Sequence, residues 1–315
     1  MEMQQSGFVS FMGRPNAGKS TLLNALVGQK IAGVSSKPQT TRNKILGICN
    51  HNDAQVLFLD TPGMHRLKKS ARINSLMNRE AFSVIGESNL ILYMVDVTQG
   101  FQPLDREFVK SILTATEAPM ALMMSKTDRM KDTDINKLEN EISKELEEIL
   151  ELVPEEKRSF LLSTKLRRSS SKDRAALPEL LDFICEYLPE GPWMYPEDDL
   201  TDRPQRFVIS ELIREKTFRL LGEEIPYHTA VRIDQMEFKK KNVSIMASIV
   251  VARNSQKGMV IGKQGSKIKE IGIEARKELE KHLDQSVFLD LQVKVDPDWV
   301  DDASLIAEYS SLDFQ

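Results

Sequence analysis

The order of apolar and polar positions divides the chain into two parts of different character. Over residues 1–187, short apolar runs alternate with longer segments in which apolar residues recur every three or four positions. This alternation predicts an α/β unit with a mostly parallel sheet and helices on its faces. The runs expected to form strands are residues 7–12, 55–59, 89–95, 119–124 and 159–162.

One helix of this unit is easily recognised. Its apolar residues recur at helical spacing amid glutamates and lysines, and they are Ile135, Leu138, Ile142, Leu146 and Ile149. This spacing predicts an amphipathic helix whose apolar stripe packs on the sheet and whose charged face is solvated.

Prolines and a glycine interrupt the pattern at residues 188–204, which we interpret as a linker. The segments beyond it predict a helix, two strands, two helices and a last strand, over residues 206–221, 227–234, 243–252, on either side of 262–265, and 287–295. This order predicts a smaller α+β unit over residues 205–300. Residues 301–315 form an acidic tail with four carboxylates and no basic residue.

Composition narrows the class of protein without identifying it. The 315 residues carry 43 lysines and arginines against 47 aspartates and glutamates, a net charge of −4. Residues 205–300 hold 17 basic and 14 acidic residues, and such a mildly basic module favours an anionic partner. The two cysteines, Cys49 and Cys185, lie far apart, which is typical of a reducing compartment. We expect neither a signal peptide nor a membrane-spanning helix.

The strongest chemical signal is Gly13-Arg14-Pro15-Asn16-Ala17-Gly18-Lys19-Ser20, between an apolar run and a helical segment. Two glycines separated by four residues, then lysine and a hydroxyl, are the pattern of a phosphate-binding loop. The backbone N–H groups of such a loop surround phosphate oxygens, the lysine reaches the outer phosphates, and the hydroxyl binds magnesium. The helix that follows directs the positive end of its dipole at the same anion.

Three further motifs follow predicted strands. They are Asp60-Thr61-Pro62-Gly63, Ser125-Lys126-Thr127-Asp128 and Ser163-Thr164-Lys165. Because the carboxyl ends of parallel strands form the ligand-binding edge of an open α/β sheet, we expect these motifs to share one site. Asp60 can hold the magnesium shell and the N–H of Gly63 can sense a terminal phosphate, although an Asp-Thr-Pro-Gly turn also occurs without a ligand.

The order of these motifs resembles that of the translation-factor-related GTPases, and the phosphate loop resembles that of the Era-type branch. The resemblance implies GTP and GDP as ligands, held with Mg²⁺. Asp128 would then recognise guanine by accepting hydrogen bonds from its ring and amino groups, and Lys126 would stack its stem over the base. The other residues that the resemblance places around the nucleotide are Gly13, Asn16, Ala17, Gly18, Lys19, Ser20, Thr21, Ser163, Thr164 and Lys165.

Ser125 departs from this family, which normally has asparagine at that position. Serine is shorter and cannot span both the base and the phosphate loop. We therefore expect weaker or less discriminating guanine binding, and an ATP-using variant stays open as an alternative.

The residues expected to act in hydrolysis are Lys19, Thr41 and Asn16. Residues 29–44 predict a mobile loop that closes over the terminal phosphate, and by resemblance Thr41 joins Ser20 and Asp60 as a magnesium ligand, with Thr40 as the alternative. Met64 occupies the position of the water-orienting glutamine of other small GTPases, and a thioether cannot orient water. By resemblance, Asn16 can supply an oxygen to a potassium ion; otherwise it only stabilises the loop. We expect slow hydrolysis that potassium stimulates.

A second motif, Gly262-Lys263-Gln264-Gly265, joins two predicted helices of the carboxyl-terminal part. A Gly-x-x-Gly loop lets an RNA backbone approach closely while an adjacent apolar groove receives unstacked bases. The flanking Ile261 and Lys267 complete the candidate RNA-binding set. The predicted order α-β-β-α-α-β resembles a type II KH domain, and an ordinary helix-turn-helix is the alternative.

The resemblance extends over residues 6–302 and implies a GTP-hydrolysing switch protein. Such a protein would bind the 3′ end of small-subunit ribosomal RNA and assist maturation of the small ribosomal subunit. The resemblance also implies peripheral association with the inner face of the cell membrane, and we expect a cytoplasmic monomer. Two alternatives stay open, a small-molecule kinase with a phosphate loop and an RNA-binding module with a degenerate nucleotide site.

Overall fold

The computed structural model describes residues 4–35, 44–63, 83–161, 167–168, 173–222, 225 and 229–299. The chain divides into two compact units, and each is described by itself. The first comprises Met1–Gly28 and Lys44–Asp202, and the second comprises Gln29–Asn43 and Arg203–Gln315. Residues 29–35, directly after the first helix, therefore group with the carboxyl-terminal unit.

A six-stranded sheet in the order β2-β3-β1-β4-β5-β6 organises the first unit. Neighbouring strands are parallel except β2 and β3, which are antiparallel. The strands are β1 (Gln5–Met12), β2 (Ile45–His51), β3 (Ala54–Asp60), β4 (Leu90–Asp96), β5 (Met120–Ser125) and β6 (Arg167–Arg168). Every residue of β3, β4 and β5 is buried, which explains their continuous apolar sequences.

The helices of the first unit are α1 (Lys19–Val27), α2 (Pro103–Ala115), α3 (Asp132–Glu151), α4 (Glu155–Arg158) and α5 (Leu177–Cys185). The amphipathic stripe of α3 is confirmed, because Ile135, Ile142, Leu146 and Ile149 are buried. A capping box begins α2, where Asp105 accepts a hydrogen bond from the Gln102 N–H and Pro103 is the first helical residue.

Two strand predictions differ from the structure. The sixth strand is Arg167–Arg168, while residues 159–161 contribute only an isolated bridge from Leu161 to Met120. A strand of two residues has no period that a sequence pattern can reveal. The strand β2 was not among the predicted runs, because Gly47 divides its apolar residues and polar Asn50 and His51 end it.

The predicted linker packs on the first unit over much of its length. Glu190 forms an antiparallel bridge with Gln5, and the Gly191 N–H donates to the Gln4 carbonyl. The buried Gln55 side chain donates to the Tyr195 carbonyl and accepts from its N–H. Residues 188–202 are therefore an integral edge of this unit.

The second unit is built on a three-stranded sheet in the order β7-β8-β9. The strand β7 is antiparallel to β8, and β9 is parallel to it. The elements in chain order are α6 (Gln205–Leu220), β7 (Thr229–Phe238), β8 (Asn242–Val251), α7 (Asn254–Ile261), α8 (Ser266–Leu283) and β9 (Ser286–Val295). The predicted α-β-β-α-α-β order is confirmed. None of the described helices combines the length and the apolar character needed to cross a bilayer.

Candidate nucleotide site and nucleic-acid interface

The loop between β1 and α1 has the backbone of a phosphate cradle. Gly13, Asn16 and Gly18 have positive φ angles of 134°, 64° and 98°. A Cβ on Gly13 would lie 2.5 Å from the Met94 carbonyl oxygen, so only glycine fits there. Gly18 is the N-cap residue of α1. The first N–H groups of the helix and the positive end of its dipole therefore point into the loop. This arrangement suits a phosphate group.

Lys19 places its ammonium group inside this loop. The side chain is buried, and its Nζ donates to the carbonyl oxygens of Gly13 and Arg14 at 3.1 and 3.0 Å. Burial lowers the pKa of Lys19 to about 8, although the nearby Asp60 carboxylate opposes the shift. A bound phosphate would supply the negative charge that restores the pKa of this buried cation.

Ser20 and Asp60 form the pair expected for magnesium. The Ser20 hydroxyl donates to Asp60 Oδ2 at 2.5 Å, and the other carboxylate oxygen, Oδ1, is buried and accepts no hydrogen bond from the residues that the structure describes. Burial raises the pKa of Asp60 to about 6, against the effects of Lys19 and of the Ser20 hydrogen bond. A hydroxyl beside a carboxylate with a free oxygen is the donor set that Mg²⁺ prefers, so these residues fit the ion.

The segment after β3 lies against the phosphate loop. The Thr61 hydroxyl donates to the Phe11 carbonyl at 2.9 Å, which fixes the segment to β1. A Cβ on Gly63 would lie 2.5 Å from Pro15 Cα, so glycine allows this close approach. The Gly63 backbone is therefore held next to the loop that would carry the phosphates.

The turn after β5 contacts the phosphate loop through Ser125. Its buried hydroxyl lies 2.5 Å from the Ala17 carbonyl oxygen and 3.2 Å from the Val95 carbonyl oxygen. Lys126 has a left-handed backbone, with φ of 59°, and its ammonium lies 2.6 Å from Asp96 Oδ2. Asp128 follows in a short 3-10 turn and is exposed.

The structure thus brings most of the predicted nucleotide residues to one edge of the sheet. Thr21 lies in the first turn of α1 and is half-buried. The predicted residues Thr40, Thr41, Met64, Ser163, Thr164 and Lys165 lie outside the described residues.

In the second unit, the Gly262–Gly265 loop joins α7 and α8 through an unusual backbone. Gly262, Gln264 and Gly265 have φ angles of 70°, 51° and 76°. A Cβ on Gly262 would lie 2.7 Å from Lys267 Cβ, whereas a Cβ on Gly265 would meet no atom within 4 Å. Lys263 and Gln264 are exposed. One glycine is therefore required by packing, and the other leaves open space for a ligand backbone.

An apolar groove of about 280 Å³ lies beside this loop, between α8 and β9. Ile268, Ile273, Leu289 and Leu291 supply its apolar surface, and Arg276 and Lys269 supply positive charge. The groove lies along α8, so the loop and the groove can hold a backbone and its bases together. Ile261 and Lys267, which the sequence suggested, do not line this groove; Lys267 pairs with Glu270 at 2.8 Å.

Three residues around the nucleotide site were not predicted as site residues from the sequence: Asp96, Asp105 and Arg14. Asp96 holds Lys126, and Asp105 forms a buried ion pair with Arg14 at 2.8 Å. Asp96 carried a usable signal because, like Asp60, it is an aspartate at the end of a buried strand. Asp105 and Arg14 are nearly one hundred positions apart, and no local pattern connects them.

The phosphate cradle, the Ser20–Asp60 pair and the turn after β5 on an open α/β sheet define a P-loop GTPase domain, and the Gly-x-x-Gly unit defines a KH domain. Comparison with protein families identifies the same two domains. The family described as 50S ribosome-binding GTPase matches residues 8–126, and the KH domain family matches residues 224–300.

Relatives that span the whole chain narrow this class. The GTPase Era of Geobacter sp. strain M21 is 40% identical over 309 residues, which cover 97% of each chain. The GTPase Era of Geobacter metallireducens is 41% identical over 307 residues, covering 96% of this chain and 97% of the relative. The chain belongs to the Era family of GTPases.

Two solved structures of this family have the same fold. A single-substitution variant of Aquifex aeolicus Era, bound to GDP and AlF4⁻, has a TM-score of 0.87 and 36% identity, with 97% of this chain and 99% of that chain covered. An Era in complex with MgGDPNP and nucleotides 1506–1542 of 16S ribosomal RNA has a TM-score of 0.86 and 36% identity, covering 97% and 98%. Membership of a GTPase family removes the kinase alternative.

Proposed function

We propose that this GTPase binds the 3′ region of small-subunit ribosomal RNA and assists maturation of the small ribosomal subunit. The observation that carries the proposal is the Gly262–Gly265 loop beside an apolar, positively charged groove. A related Era at 36% identity was crystallised with MgGDPNP and the 3′ nucleotides of 16S ribosomal RNA. The proposed parts are the GTPase domain over residues 1–187, the connection 188–204, the KH domain 205–300 and the acidic tail 301–315.

The proposed roles follow the site geometry. Lys19 and the loop from Gly13 to Ser20 bind the phosphates, while Ser20, Asp60 and Thr41 hold Mg²⁺. Asp128 selects guanine, and Lys126 covers the base. Oδ1 of Asp60 is buried and has no hydrogen-bond partner among the described parts of the chain, which supports the magnesium assignment.

The described contacts of residues 29–34 support a link between nucleotide and RNA binding. This segment precedes the proposed switch residue Thr41, and it is attached to α6 and α8. Lys30 Nζ lies 2.7 Å from the buried Glu215 carboxylate and 3.3 Å from Glu278, and the Val34 N–H donates to Glu215 at 2.9 Å. Glu278 belongs to α8, the helix that lines the groove. A change in the switch loop can therefore reach the RNA-binding helix through these charges.

The binding experiment measures fluorescence anisotropy of a labelled RNA matching the 3′ end of small-subunit ribosomal RNA. We expect binding to the GTP-analogue form to exceed binding to the GDP form, and a scrambled RNA to bind at least tenfold more weakly. Equal binding of both RNAs would contradict the proposed target, and equal binding by the two nucleotide forms would contradict the switch.

A variant locates the interface. The double substitution Lys263→Asp and Gln264→Asp places two negative charges where the RNA backbone is expected, so RNA affinity should fall more than tenfold while GTP affinity stays unchanged. The matched control is Lys240→Asp with Lys241→Asp, two exposed positions in the hairpin between β7 and β8. An equal loss with the control would assign the effect to overall charge.

We also propose slow hydrolysis that potassium stimulates, with Asn16 supplying an oxygen to the cation. Asn16 lies within the phosphate loop, between Gly13 and Gly18, and this position supports the role. Steady-state GTP hydrolysis in matched potassium and sodium salts tests it. Equal rates would exclude the cation role.

We propose a monomer that works in the cytoplasm, with peripheral contact to the inner face of the cell membrane. Two free thiols, Cys49 and Cys185, support a reducing compartment. Sedimentation velocity and co-sedimentation with anionic vesicles test the monomer and the membrane contact.

A further inference from the structure

We propose that residues 96–105, which run from the last residue of β4 into the first turn of α2, position both halves of the nucleotide site through two buried carboxylates. Asp105 holds the phosphate loop through Arg14, and Asp96 holds the base-recognising turn through Lys126. The proposal rests on the assignment of Gly13–Ser20 to the phosphates and of the turn after β5 to guanine. We call residues 96–105 the brace.

The phosphate end of the brace is centred on Asp105, which is fully buried. One carboxylate oxygen, Oδ1, accepts a hydrogen bond from the Tyr93 hydroxyl at 2.9 Å. The other, Oδ2, accepts from the Gln102 N–H at 2.8 Å and lies 2.8 Å from Arg14 Nε. Two hydrogen bonds thus hold the Asp105 carboxylate in place beside the Arg14 guanidinium.

Both terminal nitrogens of Arg14 hydrogen-bond to the brace, and its Nε makes only an ion-pair contact with Asp105. Besides the ion pair with Asp105, its terminal nitrogens donate to the Gln99 side chain and to the Gly100 carbonyl, each at 3.0 Å. The planar fork of arginine suits this set of acceptors, which a lysine could not satisfy together. The Arg14 side chain therefore connects the phosphate loop to the brace.

Arg14 lies where the phosphate loop needs a fixed shape. The Arg14 carbonyl oxygen accepts from Lys19 Nζ at 3.0 Å and from the Ala17 N–H at 3.3 Å. Holding the Arg14 side chain thus holds the backbone carbonyl that orients Lys19. Preorganised donors bind an anion without the entropy loss of ordering a loop.

The base end of the brace is centred on Asp96, which is 3% exposed. Its Oδ2 lies 2.6 Å from Lys126 Nζ, and its Oδ1 accepts from the N–H and hydroxyl of Thr98 at 2.9 and 2.7 Å. Burial acts to raise the pKa of Asp96, but the hydrogen bonds from Lys126 and Thr98 outweigh it and lower the pKa. The ionised carboxylate fixes the direction of the Lys126 stem, which by resemblance covers the base.

The two carboxylates therefore have separable effects. Each contacts a cation that borders the nucleotide, so each is a positioning residue and not a catalytic one. A merely structural role would lower stability and weaken every ligand equally. A positioning role predicts that each substitution weakens only the ligands that use its half of the site.

The experiment compares two competitors against a fluorescent GDP analogue on the full-length protein with Mg²⁺. GDP uses both halves of the site, and inorganic tripolyphosphate uses the phosphate half alone. For Asp105→Asn we expect affinity for both competitors to fall about tenfold. For Asp96→Asn we expect GDP affinity to fall about tenfold while tripolyphosphate affinity stays within twofold. The matched control is Glu107→Gln, an exposed carboxylate of the same helix as Asp105, which should change neither.

Three results would overturn the brace. Asp105→Asn could leave tripolyphosphate binding unchanged, or Asp96→Asn could weaken both competitors equally. Alternatively, both variants could lose affinity only in proportion to a loss of thermal stability, measured by the unfolding midpoint. A wild-type protein from which ADP displaced the fluorescent analogue as well as GDP does would instead contradict the guanine assignment, which keeps the two failures distinct. Arg14→Lys adds a second readout, because it should lower tripolyphosphate affinity like Asp105→Asn and leave the guanine-to-inosine preference unchanged.

Discussion

At the scale of single residues, Ser125 shows how a shorter side chain can keep half of a longer one's role. From its length alone, serine is expected to weaken guanine binding or its discrimination, because it cannot reach both the base and the phosphate loop. Its hydroxyl lies 2.5 Å from the Ala17 carbonyl oxygen, so the contact with the phosphate loop is the half that serine keeps. With the proposed assignment of Asp128 to guanine, base discrimination then depends on the carboxylate of that residue.

This geometry predicts the effect of Ser125→Ala. Removing the hydroxyl leaves the buried Ala17 carbonyl without this donor, which costs about 1–2 kcal/mol of stability. Because the loosened phosphate loop must then be ordered by the ligand, affinity for GDP and GTP should fall by at most roughly five- to thirtyfold. The ratio of guanine to adenine nucleotide affinity should not change. Nucleotide competition measurements test both statements. The control is Ser143→Ala, whose hydroxyl bonds a helical carbonyl on α3 at 2.9 Å. A changed base preference in Ser125→Ala would show that the hydroxyl contacts the base.

A second residue-scale prediction concerns magnesium and pH. Burial raises the pKa of Asp60 to about 6, and Mg²⁺ needs the carboxylate ionised. The ionised form therefore dominates at pH 7 and becomes the minority below pH 6, so the gain in GDP affinity from Mg²⁺ should fall roughly tenfold between pH 7 and pH 5.

The comparison variant for this titration is Asp60→Asn. A terminal phosphate titrates in the same range, so the wild-type curve must be compared with one that lacks the carboxylate. We expect the variant to show a small Mg²⁺ effect and only the phosphate titration. Calorimetric GDP binding with Mg²⁺ and with a chelator, at several pH values, measures the difference. Superimposable curves for the two proteins would contradict the assignment of Asp60 to magnesium.

At the scale of elements, prediction succeeded where burial leaves a periodic or continuous apolar signal. The elements predicted in this way are the strands β1, β3, β4 and β5 and the helix α3. Burial in the core requires continuous apolar runs in these strands and a helically spaced apolar stripe in α3. The helix α6 is different, since it buries Glu211, Arg214, Glu215 and Lys216 as well as apolar residues. Its pattern is therefore not amphipathic, and sequence cannot show which partners neutralise its charges. Glu211 and Arg214 pair with each other within the helix. Glu215 and Lys216 also have partners in residues 29–34 and in α8, which are distant in the chain.

The contacts of α6 predict an effect of Lys30→Met on the switch. The substitution removes one of the two ammonium groups that join Glu215 to Glu278, and it is the one that belongs to residues 29–34. Lys216 still contacts both carboxylates, and the Val34 N–H still donates to Glu215. We expect GTP affinity and RNA affinity in the GDP form to stay close to wild type. The difference in RNA affinity between the GTP and GDP forms should shrink at least threefold.

RNA anisotropy titrations in both nucleotide forms measure this coupling. The control is Lys137→Met, which removes an exposed lysine whose partner Glu141 lies 4.0 Å away on α3. This pair contributes little because it is solvated. A full nucleotide effect in Lys30→Met would mean that residues 29–34 do not transmit the switch.

At the scale of the whole molecule, the chain has a net charge of −4 although its carboxyl-terminal module is mildly basic. The sequence could identify the two modules, because each carries a short motif with its own backbone demand. It could not identify the groove, since Ile268 and Arg276 meet Leu289 and Leu291 only after α8 packs beside β9. The brace was likewise invisible, because its partners come from separate strands and loops.

This charge distribution predicts how salt concentration affects RNA binding. Binding to single-stranded RNA releases counterions, so the logarithm of its affinity should fall linearly with the logarithm of salt concentration, with a slope of about −0.7 for each phosphate contacted. Lys263 is exposed in the Gly-x-x-Gly loop, and Lys263→Gln should reduce the slope by about 0.7 for matched and scrambled RNA alike. Anisotropy titrations over a range of potassium chloride concentrations give these slopes. Lys240→Gln serves as the control because Lys240 is exposed in the β7–β8 hairpin, where no RNA contact is expected. A slope that responds to Lys240→Gln and not to Lys263→Gln would show that the RNA backbone contacts that hairpin and not the Gly-x-x-Gly loop.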